Sequence, residues 1–172
     1  MSPVNLQGRN WTALDARTRL PELQRLFERN PDFFVQEFGR PPRPDEAAHA
    51  LADLPPGKDP SDKLFLLLVR GDEVFGHLEV LRDFRRAHEA YIGNFLLDGL
   101  ERGRGTGREI VAALEAALAA QGFDSVRLAA TEQNEDGRRF WARLGYQVDK
   151  VFPPRRLGER DTVLHELVKA LA

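Results

Sequence analysis

The sequence predicts one α+β domain in which helices flank a mixed, mostly antiparallel central sheet. Three observations support this fold class. The length of 172 residues is that of one ordinary domain. From residue 63 onward, near-continuous apolar runs alternate with segments of helical periodicity. Residues 1–60 instead show a helical pattern of apolar residues that prolines interrupt. We therefore expect a helical region, 1–60, followed by a sheet-forming core, 63–172.

The helical region is predicted to contain three pieces. They are residues 20–29, a short helix after residue 31, and residues 45–54. Pro21 suits the first turn of the first piece, and the apolar residues that follow it share one helical face. The proline-rich stretch 55–60 is either a packed connection or a lid that contacts a substrate.

The core is predicted to alternate strands with helices. The predicted strands are residues 63–69, 74–81, 91–97, 126–130, 146–152 and 162–171. The first of them is a near-continuous apolar run, which is typical of a strand covered on both faces. A short turn joins it to the second strand as a hairpin. One helix follows the glycine-rich turn 99–107 and stops at Gly122, and another covers residues 134–144. Segments 82–87 and 153–160 are expected to be loops.

The composition excludes several classes of protein. Twenty-five basic and 27 acidic residues give a net charge of −2, which lacks the basic excess of a dedicated nucleic-acid binder. The absence of cysteine excludes disulfides and a thiol nucleophile. The four histidines are scattered without ligand spacing, so no metal is expected. No apolar run approaches the roughly 18 residues of a membrane span, and no signal pattern is evident, so a cytoplasmic protein is expected.

The segment RGRGTG at residues 102–107 lies between an apolar strand and an amphipathic helix. Its glycines leave backbone N–H groups unobstructed at the positive end of a helix dipole, which favours a pyrophosphate. Three nearby arginines add positive charge. The following residues match neither a Walker loop nor a G-x-G-x-x-G dinucleotide fingerprint. Taken alone, the segment is either an anion site or a turn that binds no anion.

Two motifs together resemble the GNAT superfamily of N-acetyltransferases. Residues 102–107 are similar to that family's acetyl-coenzyme A loop, Gln/Arg-x-x-Gly-x-Gly/Ala. The stretch that opens at Asn134 is similar to the family's Asn-x-x-Ala-x-x-Phe-Tyr-x-x-x-Gly-Phe, with Gly, Trp and Tyr in place of Ala, Tyr and Phe. The resemblance covers residues 63–172 and is weak over the first sixty, a region that shapes the acceptor site in this family.

The resemblance implies a GNAT-like acyl-CoA N-acyltransferase fold that uses acetyl-coenzyme A (acetyl-CoA) as cosubstrate. The pantetheine arm would pair, as a strand does, with the backbone of Phe95, Leu96 and Leu97. The pyrophosphate would be held by the amides of Arg102, Gly103, Arg104, Gly105, Thr106 and Gly107. The other residues expected at the cofactor are Asn134, Arg138, Arg139 and Trp141. The arginines among these would either meet the ribose phosphate or form a solvated helix face.

The catalytic groups are less well defined, because Trp141 stands where the family carries its usual acid, a tyrosine. An indole cannot release a proton at useful pH. Tyr91 is the best side-chain candidate for the acid, and water is its rival. Glu79, a charge inside an apolar strand, is the first candidate for the general base unless it faces solvent. Glu89 shares a strand face with Tyr91 and is the second candidate, while an ordered water can replace either glutamate.

The sequence therefore favours an N-acetyltransferase that transfers acetyl directly to an amine in a ternary complex. The acceptor would be a primary amine on a small molecule or a peptide, and no nucleic-acid or membrane partner is expected. One alternative is a non-catalytic module that binds acetyl-CoA, and another is an interaction domain whose glycine-rich turn binds nothing. An edge strand near the C-terminus makes a homodimer the expected assembly.

Overall fold

Nine strands are present in the computed structural model, which describes residues 4–172. They are β1 (Thr12–Asp15), β2 (Lys63–Arg70), β3 (Glu73–Arg82), β4 (Glu89–Leu97), β5 (Ser125–Thr131), β6 (Gln147–Val151), β7 (Arg155–Leu157), β8 (Arg160–Thr162) and β9 (Leu164–Ala170). Seven form one sheet in the order β1-β2-β3-β4-β5-β9-β6, and β7 pairs with β8 in a separate hairpin. Every neighbouring pair is antiparallel except β4 and β5, which run parallel.

Within residues 4–172, five α-helices flank the sheet. They are α1 (Leu20–Glu28), α2 (Pro31–Phe38), α3 (Glu46–Ala52), α4 (Thr106–Ala120) and α5 (Glu135–Arg143). Prolines lie in the first turns of α1 and α2, where a missing N–H costs no helical hydrogen bond. Gly39 ends α2 with a φ of 70°, a left-handed conformation that glycine adopts without strain from a Cβ atom.

Two apolar clusters lie on opposite faces of the sheet. The first packs α4 and α5 against alternate residues of the strands, for example Ile110 against the face that carries Leu66. The second packs α1, α2 and α3 against the other face, where Leu23 and Phe34 meet Phe65. Because successive residues of β2 enter different clusters, residues 64–69 of this strand are all apolar. The second cluster fixes the helices that line the candidate site.

The predicted fold class is confirmed, and two local predictions are wrong. Region 1–60 is not wholly helical, because β1 pairs with β2 in the register Thr12 to Val69. The expected loop 153–160 contains β7, which forms a hairpin with β8. These strands have only three or four residues each. They are too short to show a two-residue alternation, and pairing with a neighbouring segment makes them strands.

His77 is a fully buried histidine that packs edge-on against the rings of Phe27 and Phe65. Its Nδ1 donates to the carbonyl oxygen of Leu66 at 2.9 Å. Its Nε2 is buried and has no hydrogen-bond partner among residues 4–172. Burial lowers the pKa of His77 to about 4, so the ring is neutral in the folded protein at neutral pH.

We expect the free energy of unfolding to fall as the pH drops from 6.5 towards 4, with about 3 kcal/mol contributed by His77. The unfolded chain's histidine takes up a proton near pH 6.5, whereas the folded one does so only near 4. The contribution of His77 to the free energy of unfolding is therefore complete above pH 6.5 and is lost between pH 6.5 and pH 4. Urea titrations across it, on wild type and His77→Asn, measure the effect. Asparagine keeps a donor but does not titrate, so equal pH dependence in the two proteins would contradict the prediction.

Candidate active site

The parallel strands β4 and β5 separate part-way along their length. Their pairing stops at Ile92 and Leu128, although both strands continue for several residues. A bulge in β4 lies at this point, because Gly93 is an extra residue without a partner in the β3 register. Bulged strands bend locally. The result is an opening between the ends of β4 and β5, called here the wedge.

Backbone groups of β4 face the wedge at Phe95 and Leu97. In an antiparallel pair, every second residue of a strand forms backbone hydrogen bonds with the partner strand. The amide of Asp98 donates to a β3 carbonyl at 2.8 Å, so Leu96, two residues earlier, also bonds to β3. The N–H and C=O groups of Phe95 and Leu97 therefore point towards β5, where the Leu97 carbonyl accepts from Arg102 Nε at 3.1 Å. By the same alternation the Leu96 backbone pairs with β3, and its side chain is buried, so the structure does not bring Leu96 to the wedge.

The segment 102–107 forms the turn into α4, beyond the end of β4. Gly103 and Gly105 have φ values of 76° and 82°, which only glycine adopts readily. Gly105 is the N-cap residue and has no capping side chain, so the first amides of α4 remain available to a ligand. A Cβ on Gly107 would lie 3.2 Å from the ring of Phe140, so this glycine lets α4 and α5 approach closely.

Ion pairs hold this turn on its inner side. The guanidinium of Arg70 donates to the Glu101 carboxylate at 2.7 and 3.4 Å, and the Thr106 hydroxyl adds a contact at 3.4 Å. Arg102 pairs with Asp32 of α2 at 2.9 Å. The turn is thus tied both to β2 and to the helices on the other face of the sheet. Its amides therefore belong to a segment that side-chain contacts hold in place at the N-terminal end of α4.

The wedge leads into a cleft of about 550 Å³. Both separating strand ends border it, the helices α1, α2 and α3 form one wall, and Leu157 of the β7–β8 hairpin closes part of another. The phenylalanines of the lining are Phe27, Phe33, Phe34 and Phe38 from the helices and Phe95 from β4. The acidic lining consists of Glu37, Glu46, Asp53 and Glu79. Other polar or amphipathic groups of the lining include Tyr91, Asn134 and Trp141.

Glu79 lies in the cleft and not in bulk solvent, with 13% of its side chain exposed. A Cβ on Gly93 would lie 2.8 Å from Glu79 Oε1, so the glycine leaves room for the carboxylate. Lys63 Nζ is 3.4 Å from the same oxygen and also donates to the carbonyls of Ala50 and Asp53. Burial raises the pKa of Glu79 to about 7, and the charge of Lys63 opposes this rise. Glu79 can therefore exchange a proton near neutral pH.

We expect the Glu79 carboxyl to titrate near pH 7, and Lys63→Met to raise its pKa by at least about one unit. The ammonium lies 3.4 Å from the carboxylate in a poorly solvated site. Carbon-13 NMR titration measures the Glu79 pKa in the wild type and in Lys63→Met. The Glu79 carboxyl resonance is assigned by its loss in Glu79→Gln. Lys58→Met is the control, because Lys58 pairs with Asp62 outside the cleft lining. An unchanged Glu79 pKa in Lys63→Met would contradict the interaction.

Tyr91 and Glu89 share a face of β4, but only Tyr91 lines the cleft. Burial raises the pKa of Tyr91, so its hydroxyl keeps its proton. Glu89 is 2% exposed, and its carboxylate accepts from Arg127 at 3.0 Å and from the Ser125 hydroxyl at 3.1 Å. The prediction of Glu89 as a base is corrected accordingly, because a buried ion pair holds it outside the cleft.

The other side chains expected at the cofactor divide between the cleft and the outer side of α5. Asn134 lines the cleft and caps α5, since its Oδ1 accepts from the Gly137 amide at 2.9 Å. Trp141 is buried at the cleft within an aromatic group. Arg138 and Arg139 instead border a shallow depression between α5 and the edge of the sheet. The structure does not bring these two arginines to the cleft.

Two features of the cleft are absent from the sequence prediction. Glu37 of α2 lines the cleft, and the Thr131 hydroxyl donates to its carboxylate at 3.1 and 3.2 Å. The contact joins residues 94 positions apart, so no local pattern could have revealed it. Gly93 does leave a signal, because a glycine inside an apolar strand often marks a bulge.

The comparisons with known proteins agree with this geometry. The model of the acetyltransferase (GNAT) family matches residues 22–146, and the chain belongs to this family. A search of curated proteins finds no match.

Three solved structures illustrate the likeness in fold. An acetyltransferase from Thermus thermophilus is 22% identical, with a TM-score of 0.75 over 90% of this chain and 92% of that one. A probable GNAT-family acetyltransferase from Chromobacterium violaceum is 19% identical, with a TM-score of 0.78 over 99% and 93%. A Salmonella typhimurium acetyltransferase that modifies the N-terminal serine of a 50S ribosomal protein is 15% identical, with a TM-score of 0.77 over 99% and 98%. At these identities the likeness concerns the fold alone.

Two features are absent from residues 4–172, a cluster of metal-ligating side chains and a membrane-spanning helix. No group of three or more His, Cys, Asp or Glu side chains in this range is arranged to hold a metal ion. No helix in the same range is long and apolar enough to cross a membrane.

Proposed function

We propose that the protein transfers an acetyl group from acetyl-CoA to a primary amine, directly and within a ternary complex. One observation carries the proposal. The end of β4 borders the cleft that contains Glu79 at Phe95 and then leads into the turn whose amides begin α4. A cosubstrate with a pyrophosphate at one end and a thioester at the other needs these two environments in this order. Membership of the GNAT family supports the same conclusion.

Three parts of the chain would hold acetyl-CoA, which supplies the activated acetyl group when bound. The amides of residues 102–107 would receive the pyrophosphate, since they lie at the positive end of α4. The backbone groups of Phe95 and Leu97 would pair with the amides of the pantetheine arm. Asn134 and Trp141 would border that arm from the other side of the wedge.

The chemistry would rest on groups at the cleft. Glu79 would take the proton of the acceptor's ammonium, because a pKa near 7 keeps it a carboxylate yet able to accept a proton. The Phe95 N–H would donate to the thioester oxygen as negative charge develops there. Tyr91, which keeps its proton, would supply one to the leaving thiolate, and water is the alternative donor.

One observation favours a second candidate function, that of a non-catalytic module that binds acetyl-CoA. Trp141 lies at the cleft where the resemblance places the family's acidic tyrosine, and an indole cannot serve as that acid. A module of this kind would bind the cosubstrate through the same wedge but would not release its thiol in response to an amine.

Calorimetric titration with acetyl-CoA, followed by a thiol-release assay with a panel of amines, tests the proposal. We expect one-to-one binding, and thiol release that depends on an amine. Binding without amine-dependent release supports the non-catalytic module. A folded protein that binds no acetyl-CoA contradicts both functions. A dephospho analogue used beside acetyl-CoA shows whether the ribose phosphate contributes to binding.

A further inference from the structure

Glu37 differs from the other half-buried carboxylates of the cleft in its lack of a cation. Glu79 has Lys63 at 3.4 Å, and Glu46 has Arg40 at 2.8 Å. No Lys, Arg or His nitrogen within residues 4–172 lies within 4 Å of the Glu37 carboxylate. A partly buried carboxylate without a counter-ion is costly unless a ligand supplies one.

The protein orients Glu37 without neutralising it. The Thr131 hydroxyl donates to both carboxylate oxygens, at 3.1 and 3.2 Å. Arg160 is near enough to influence the carboxylate, but its Nη1 donates to the carbonyls of Val35 and Gln36 at 3.3 Å. Burial raises the pKa of Glu37, and Thr131, Asn134 and the more distant charge of Arg160 oppose this rise. Glu37 is therefore held at the end of β5 by neutral hydrogen-bond donors, without a direct ion pair among residues 4–172.

Glu37 and Glu79 lie on different sides of the wedge. Glu79 belongs to β3, whereas Glu37 is fixed to Thr131 at the end of β5, two strand positions away. Paired strands are about 4.8 Å apart and β4 and β5 have already separated at this point, so more than about 10 Å lies between the strands that carry these two contacts. A ligand that spans the cleft can meet both carboxylates at once.

The cleft that both carboxylates line suits a ligand with an aliphatic chain and cationic ends. Phe27, Phe33, Phe34 and Phe38 line the cleft and pack against one another through α1 and α2. Aromatic rings favour both methylene groups and ammonium groups. The cationic side chains of the lining, Arg43 and His49, are exposed near α3. The half-buried part of the lining is therefore acidic and aromatic.

We propose that the acceptor is an aliphatic diamine, with one ammonium bound by Glu37 while the other amine reacts beside Glu79. The inference rests on the proposed acetyl transfer for the reaction itself, but not for the binding of the diamine. Transfer forms an amide at the amine near Glu79, releases coenzyme A as its thiol and leaves the second ammonium paired with Glu37. Glu37 is thus a specificity-determining residue.

The test compares amines that differ by one ammonium group. Diaminobutane and diaminopentane are assayed against butylamine and pentylamine, with acetyl-CoA and the full chain. We expect kcat/KM to favour each diamine by at least about tenfold, and Glu37→Gln to reduce this ratio towards one. Glu132→Gln is the matched control, because Glu132 follows Thr131 but is exposed and outside the cleft lining. It should keep the wild-type ratio.

A binding measurement separates this inference from the proposed function. Calorimetry of the same four amines on protein saturated with coenzyme A reports their affinity whether or not acetyl transfer occurs. Diamine binding that depends on Glu37, without any turnover, upholds the inference and contradicts the proposed function. Turnover or binding of monoamines as good as that of diamines overturns the inference. So does a Glu37→Gln variant that weakens both amine classes equally.

A second variant covers the case in which Glu37→Gln does not fold. Thr131→Val removes the hydroxyl that orients the Glu37 carboxylate and keeps the shape of the side chain. We expect it to lower the diamine-to-monoamine ratio in the same direction. A folded Thr131→Val protein with the full wild-type ratio contradicts a role for the oriented carboxylate.

Discussion

Glutamine in place of Glu79 is expected to lower kcat for amine acetylation by about 10² to 10⁴-fold. The substitution keeps the shape of the side chain in the space beside Gly93 but removes the proton acceptor. Because the Glu79 pKa is about 7, the wild-type kcat should rise with pH through neutrality and then level off. The variant should lose this rise. Acetyl-CoA affinity should be unchanged, since the proposed cofactor contacts lie elsewhere.

Steady-state kinetics across pH, together with acetyl-CoA titration, check this expectation. Glu89→Gln is not a clean control, because its carboxylate belongs to a buried ion pair with Arg127. Glu132→Gln is the better one, since the side chain is exposed. Wild-type rates at every pH in Glu79→Gln would remove Glu79 from the mechanism and leave an ordered water as the base.

Valine in place of Gly105 is expected to weaken acetyl-CoA binding by at least about tenfold. The φ of 82° at Gly105 is left-handed, and a branched side chain there costs of order 1–3 kcal/mol. A Cβ at this position would meet no heavy atom within 4 Å, so the effect comes from the backbone and not from a clash. The turn must change its conformation, which moves the amides proposed to hold the pyrophosphate.

Gly122→Val is the matched control for this experiment. Gly122 ends the same helix, has a φ of 88°, and also has open space around its missing Cβ. Both variants should lose similar thermal stability, but only Gly105→Val should lose affinity in a calorimetric titration. Equal acetyl-CoA affinity in folded Gly105→Val and wild type would show that residues 102–107 do not bind the pyrophosphate.

Local sequence patterns were sufficient to predict the main strands and helices. The apolar run of β2 arises because the strand is buried on both faces, and proline or glycine marks the ends of α2 and α4. The glycine-rich turn was found because its chemistry lies in consecutive residues. The short strands β1, β7 and β8 were missed, since their conformation depends on pairing and not on their own side-chain pattern.

The candidate site was predictable only where it is local in sequence. Glu79 was found as a charge inside an apolar strand, but its burial depends on α3 and on Lys63, 16 positions earlier. The resemblance assigns the backbones of three consecutive residues, 95–97, to the pantetheine arm. In the sheet, hydrogen bonding alternates between the two sides of β4, so only the backbones of Phe95 and Leu97 face the wedge and that of Leu96 does not. Glu37 was missed because its partner Thr131 lies in a distant strand.

The sequence by itself determined the fold class, the family resemblance and the position of the glycine-rich turn, because each depends on patterns among residues that are close in the chain. The tertiary structure decided which carboxylate can act. Glu89 and Glu79 are both charges in strands, yet one is neutralised by Arg127 and the other faces the cleft with a raised pKa. The reason is physical: solvation and charge pairing depend on neighbours from several elements, and only the packed chain brings these together.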